Sequence, residues 1–145
     1  MSIAKKTAII LQDAKINIKI ILSALWAARM FSGLQGDSTR FHDPVALKEL
    51  VEGTGQITVT NEMLLIMSMI LAVPIFMSFL SLTLKDKVNR WTNIIIGMFF
   101  VVWELVFLIF VYPQGPIYEM FWGIAYLVFV ALVVWYAWKW PKQKV

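Results

Sequence analysis

Two residues in this chain place charge where apolar neighbours dominate. Arg29 lies inside the stretch 16–34, and Glu104 interrupts an otherwise uncharged run over 91–112. At 1.5 Å of helix rise per residue, Arg29 sits about 9 Å before Gln35 and Glu104 about 12 Å before Tyr112. Both charges therefore fall at similar depth when the two helices end on one face of a membrane. Ionisable groups in hydrocarbon turn to the bundle interior and pair with one another, so the spacing predicts an Arg29–Glu104 ion pair. A pair of this kind binds a proton or ligand, or it holds two helices together. Arg29 reaching out to the headgroups is the remaining alternative.

Further acidic residues gather toward the same face. Glu119 and Glu62 each open a helix, where the positive end of the helix dipole favours an anion. With Asp37 and the only histidine, His42, they form a candidate outer vestibule for cations. Metal ligation needs several converging His, Cys or carboxylate ligands. One His among loop aspartates falls short of that, and no metal site is expected. Met63, Met67 and Met69 have the softness for Cu(I), but Met is also a common filler of apolar helices. No Ser/His/Asp set, His-xxx-His pattern or Gly-rich phosphate loop is present, so neither an enzyme nor a bound cofactor is expected.

The elements that must hold these residues follow from composition. Of 145 residues, 60 % are hydrophobic and 15 % charged. A soluble domain this small has too much surface to hide so much hydrocarbon, which points to lipid as the solvent and excludes a soluble enzyme or a disordered regulator. There are no cysteines, so disulfides and thiolate chemistry are excluded too. A bilayer core takes about 20 apolar helical residues. Four stretches qualify, over about 16–34, 63–84, 91–112 and 117–138. Backbone amides in lipid must be satisfied within the segment, and the strand alternation of a barrel is absent. The fold class expected is an all-α membrane protein, a single four-transmembrane-helix bundle over 1–145.

Charge sets its orientation. Lys5, Lys6, Lys15 and Lys19 precede the first helix. Lys85, Lys87 and Arg90 separate the second and third, and Lys139, Lys142 and Lys144 follow the fourth. Of the 13 basic residues only Arg29, Arg40 and Lys48 lie elsewhere. Both termini are thus expected in the cytoplasm. The net charge of +4 becomes a topology signal, and nucleic acid is not an expected partner. Residues 3–13 read as an interfacial lead-in, not a cleavable signal. The long outer connection 35–60 should hold a short helix over about 44–52, with Asp43 as N-cap, Pro44 first and Gly53 as the stop. Residues 56–60 alternate like a strand. Asn61 is the expected cap of the second helix, Asp86 or Asn89 of the third, and Pro116 the first residue of the fourth. Ser78, Ser81, Asn93 and Gly97 sit at spacings that let helices approach in lipid, and Pro74 should kink the second helix.

The strings Asn89-Arg90-Trp91-Thr92-Asn93-Ile94-Ile95-Ile96-Gly97 and Trp135-Tyr136-Ala137-Trp138-Lys139-Trp140-Pro141, with Leu22-Ser23-Ala24-Leu25-Trp26 and Gly36-Asp37, carry a resemblance. The chain resembles, over nearly its whole length, a bacterial family of small four-helix integral membrane proteins classed as a domain of unknown function. The resemblance implies a multi-pass protein of the bacterial cytoplasmic (inner) membrane and supplies no activity. Two functions compete. One is binding or transport of a small solute or ion by a homo-oligomer. The other is an accessory or structural protein docking a larger partner or lipid. A polar, water-reached cavity at Arg29 and Glu104 favours the first, and a dry, enclosed pair the second.

Overall fold

The computed structural model describes residues 15–54 and 60–141. The expected lead-in over 3–13 and nearly all of the strand-like stretch 56–60 lie outside the described residues. Within them every regular element is helical: α1 (Ile18–His42), α2 (Pro44–Glu52), α3 (Asn61–Thr83), α4 (Asp86–Phe110) and α5 (Ile117–Trp138), with a 3-10 turn, Tyr112–Gln114, before α5.

Three of these, α3, α4 and α5, are long and apolar enough to cross a membrane. The fourth long helix, α1, has the length at 25 residues, but Lys19, Arg29, Asp37 and Arg40 dilute its apolar character. It also runs eight residues past the expected stop at 34, which shortens the long connection. Nothing between 35 and 42 breaks a helix, and Thr39 Oγ1 donates back to the Gln35 carbonyl at 2.8 Å. The break comes at Asp43, because a residue before proline is pushed out of the helical region. Asp43 is extended (φ −81°, ψ 113°), and its carboxylate accepts from the Val45 and Ala46 amides. One residue ends α1 and caps α2, and Gly53 at φ 63° closes α2 as a left-handed C-cap.

Three caps differ from expectation. Thr60, not Asn61, caps α3, its hydroxyl accepting from the Met63 amide. Pro116 is the residue before α5, not its first. α4 starts five residues before 91 with no side-chain cap, and Asn89 is buried in its interior. Pro74 is buried within an α3 that continues past it.

α1 packs along α3 and α5, and α5 packs along α4, whereas α3 and α4 touch little. α1 and α4 therefore lie diagonally opposite and meet through long side chains. Trp26 of α1 meets Phe100 of α4 edge to face at 5.8 Å. Leu22, Met77, Ile94, Val130, Val133 and Ala137 complete the core. Gly97 lets α5 come close, since a Cβ there would lie 2.8 Å from Val134 Cγ2. The remaining apolar bulk faces outward, as at Phe76, Phe79, Ile95 and Phe110, an inversion of soluble packing that suits a lipid solvent.

Residues 15–19, 86–91 and 140–141 share one end of the bundle. There Lys19 Nζ donates to the Leu84 carbonyl at 2.8 Å and pairs with Asp86 at 2.9 Å, and Arg90 Nε donates to the Ala137 carbonyl at 3.2 Å. Lys19 thus satisfies a carbonyl left open at the end of α3, and Arg90 adds a donor to the Ala137 carbonyl near the end of α5, which also accepts from the Trp140 amide. The other end joins α1 and α2 to the start of α5, through Arg40–Glu119 at 3.7 Å and a Tyr118 hydroxyl donating to Asp43 at 2.9 Å.

Candidate functional site

The buried residues of α4 are Asn89, Asn93, Ile94, Gly97, Phe100 and Glu104. Five of them step by three or four along one face. That face meets α1 in two polar layers.

The charged layer holds Arg29 Nη2 paired with Glu104 Oε1. Their side chains are 9 % and 2 % exposed. The Tyr112 hydroxyl donates to the other Glu104 oxygen at 3.3 Å. The Arg29 guanidinium lies over the Tyr126 ring at 4.2 Å and near Phe100 at 5.9 Å, adding cation–π attraction in a desolvated setting. Two glycines make the enclosure possible. A Cβ on Gly36 would collide with the Tyr126 hydroxyl, and one on Gly123 with the Tyr112 ring. Arg29 Nε alone is buried without a hydrogen-bond partner among the described residues. The layer is neutral as a pair, so what it does chemically is hold opposite charges in a medium that penalises either one alone.

The neutral layer lies nearer the start of α4. Trp26 Nε1 donates to Asn93 Oδ1 at 2.7 Å, and the Ser81 hydroxyl reaches the same oxygen at 3.3 Å. Asn93 Nδ2 donates to Asn89 Oδ1 at 2.7 Å, and Asn89 Nδ2 to the Ser81 carbonyl at 2.6 Å. Three helices are tied by this ladder. Ser81 and Asn93, at packing positions in the sequence, bond across helices here, and Asn89 joins them instead of capping α4. The signal for the ladder was the four-residue step from Asn89 to Asn93 continuing to Gly97.

The four vestibule candidates are placed separately. Glu119 pairs with Arg40. His42 Nδ1 lies 2.7 Å from the Ser38 carbonyl, so that nitrogen donates and is not a free ligand. Asp37, Glu62 and His42 are exposed. Among the described residues no hydrogen bond or ion pair joins these four to one another, and no group of three His, Cys, Asp or Glu converges as a metal site. Between α1 and α2, the Tyr118 hydroxyl and the Val45 amide hold the Asp43 carboxyl below its ordinary range.

Two of the hollows formed by the described residues lie away from Arg29 and Glu104. One, of about 720 Å³, lies at the basic end among the start of α1, the start of α4 and Trp140. The other, an apolar groove of about 340 Å³, runs between α3 and α4.

No curated protein and no solved structure matches the chain. A family does, over residues 10–145, and together with the helical architecture it places the protein as a member of the family described as "Family of unknown function (DUF6326)".

Proposed function

We infer that the chain is a four-span protein of the bacterial cytoplasmic membrane, with α1 as the fourth span and both termini in the cytoplasm, and that it serves as a non-enzymatic accessory protein. The observation that carries the accessory role is the enclosure of Arg29–Glu104, exposed by only 9 % and 2 %. A translocation site has to be reached by water, whereas a locked, charge-neutral pair serves the bundle itself. The span assignment for α1 is supported by its length, about 37 Å at 25 residues, and by its packing along α3 and α5. Its one mid-helix charge is neutralised. Orientation is supported by Lys15, Lys19, Lys87 and Arg90 at one end.

The absence of native cysteine makes a clean test. Single cysteines at Lys15, Thr54 and Lys139 are labelled with a membrane-impermeant maleimide in sealed, right-side-out vesicles. Labelling of Thr54→Cys alone is expected, and opposite sidedness of Lys15→Cys and Lys139→Cys would leave three spans. The accessory role predicts that purified protein in liposomes gives no proton, sodium or potassium flux above protein-free controls. A flux abolished by Glu104→Gln would overturn it.

The unpartnered Arg29 Nε favours a second reading, in which a homo-oligomer admits a small solute or ion to the pair. Stabilisation of the purified protein by a small carboxylate, lost in Arg29→Lys, is the result that would support it.

A further inference from the structure

We propose that the hollow at the basic end, together with the groove between α3 and α4, is a binding site for an anionic phospholipid of the cytoplasmic leaflet. The inference rests on the orientation given above, which puts this end in the cytoplasm.

The hollow has the chemistry of a phosphate-bearing headgroup. Among the described residues it is lined by Lys15, Lys19, Lys87 and Arg90, with Asp86 as the one acidic residue. Lys19 is engaged by Asp86 and the Leu84 carbonyl, and Arg90 by the carbonyls of Ala137 and Trp138. These bonds hold both side chains at the rim. Lys15 and Lys87 are exposed and, among the described residues, form no ion pair, so the hollow keeps an excess of positive charge. Trp91 and Trp140 also line it, and indoles favour the level where headgroups meet hydrocarbon. Basic pockets between helices on the cytoplasmic side suit anionic headgroups.

The apolar groove decides for a lipid over a free phosphate. Trp91 of the hollow is followed one turn on by Ile95, then by Phe99, and both of these line the groove with Ile70 and Val73 of α3. Ile95 lies about 14 Å of helix rise beyond Asp86. That is the depth at which an acyl chain runs below its headgroup. The groove exists because α3 and α4 pack loosely there, and its volume of about 340 Å³ accepts a stretch of hydrocarbon chain.

Full-length protein purified in mild detergent is titrated with phosphatidylglycerol and, separately, phosphatidylcholine, and retained lipid is read by native mass spectrometry. In parallel, tryptophan fluorescence is followed with lipids brominated along the chain. Phosphatidylglycerol is expected to bind in preference and to quench more strongly. Lys15→Gln with Lys87→Gln should weaken it about 25-fold, roughly fivefold per cation removed. Lys48→Gln at the far end should change nothing. Ile95→Trp, which fills the groove, should displace the acyl chain while circular dichroism shows the helices intact. Equal binding of the two lipids, or a double variant that binds as wild type, overturns the proposal. Full competition by millimolar inorganic phosphate reassigns the hollow to a free anion and equally overturns it. Single-cysteine labelling of Lys87→Cys separates the two failures. Labelling from outside sinks the orientation, whereas labelling only after permeabilisation, without lipid preference, sinks this site alone.

Discussion

The charged layer around Arg29 and Glu104 and the neutral layer around Asn93 both tie α1 to α4 across the bundle axis, yet they fail differently. In the neutral layer each amide has more than one partner, and Asn93 Oδ1 receives both Trp26 and Ser81. Loss of one bond there leaves others standing. In the charged layer each ion depends chiefly on the other, with Tyr112 and Tyr126 as secondary support. Deleting one side strands a charge in a low-dielectric interior, which costs far more than a hydrogen bond. Polar groups between packed helices differ in consequence according to redundancy as much as burial.

The largest effect is expected at the charge pair. Glu104→Gln should lower unfolding free energy by about 3–5 kcal/mol, read by denaturant titration in detergent. The double variant Arg29→Leu/Glu104→Leu should recover most of it, since no lone ion remains. If the single and double variants lose the same amount, the pair is not a mutual lock and the contrast with the neutral layer collapses.

Asn93→Leu tests the other side of the contrast. It strips Trp26 Nε1 of its acceptor and should cost roughly 1–3 kcal/mol by the same titration. A cycle with Trp26→Phe should show strong coupling, because the phenyl ring needs no acceptor. A loss as large as that of Glu104→Gln would mean redundancy does not matter here.

Gly123→Ala sharpens the role of the enclosure. The new methyl meets the Tyr112 ring, and overpacking of this kind costs on the order of 1–3 kcal/mol. The loss should shrink in Tyr112→Ala, where the ring is gone; equal losses in both backgrounds would detach Gly123 from Tyr112.

The smallest effect concerns α2, outside both layers. The Asp43 carboxylate accepts from the Tyr118 hydroxyl and from the Val45 and Ala46 amides, which lowers its pKa. A carboxyl lowered on folding contributes its stabilisation above the unfolded value and loses it as pH falls through the lower, folded one. Anisotropy of a dye at Lys48→Cys should therefore hold from pH 7 down to about 4 and fall only below that. Asp43→Asn should remove the transition; its persistence would assign it to another acid.

Much of the architecture was legible because long apolar runs simplify the reading. They located four long helices, and α2 has the bounds that Asp43, Pro44 and Gly53 suggested, whereas α5 starts one residue after Pro116. Where boundaries moved, polar residues misled. Asn89 and Asp86 looked like punctuation at the start of α4, but Asn89 has buried partners in Asn93 and Ser81 and so lies inside the helix. Polar residues from Gln35 to His42 looked like loop, yet α1 passes through them until Pro44 forbids it. Polarity marks a helix end only when no neighbouring helix supplies a partner.

Apolar runs and charge placement in the chain alone located the long helices and put Arg29 and Glu104 at comparable depth. These follow from local rules of helix rise, capping and burial, which need no knowledge of neighbours. Folding decided that α1 and α4 lie diagonally opposite, that Tyr112 and Tyr126 close over the pair, and that Asn89 and Asn93 reach Ser81 and Trp26. It also decided that Glu119 meets Arg40 and not Glu104. Such contacts depend on which helix faces turn toward one another, and that is set by the packing of the whole bundle.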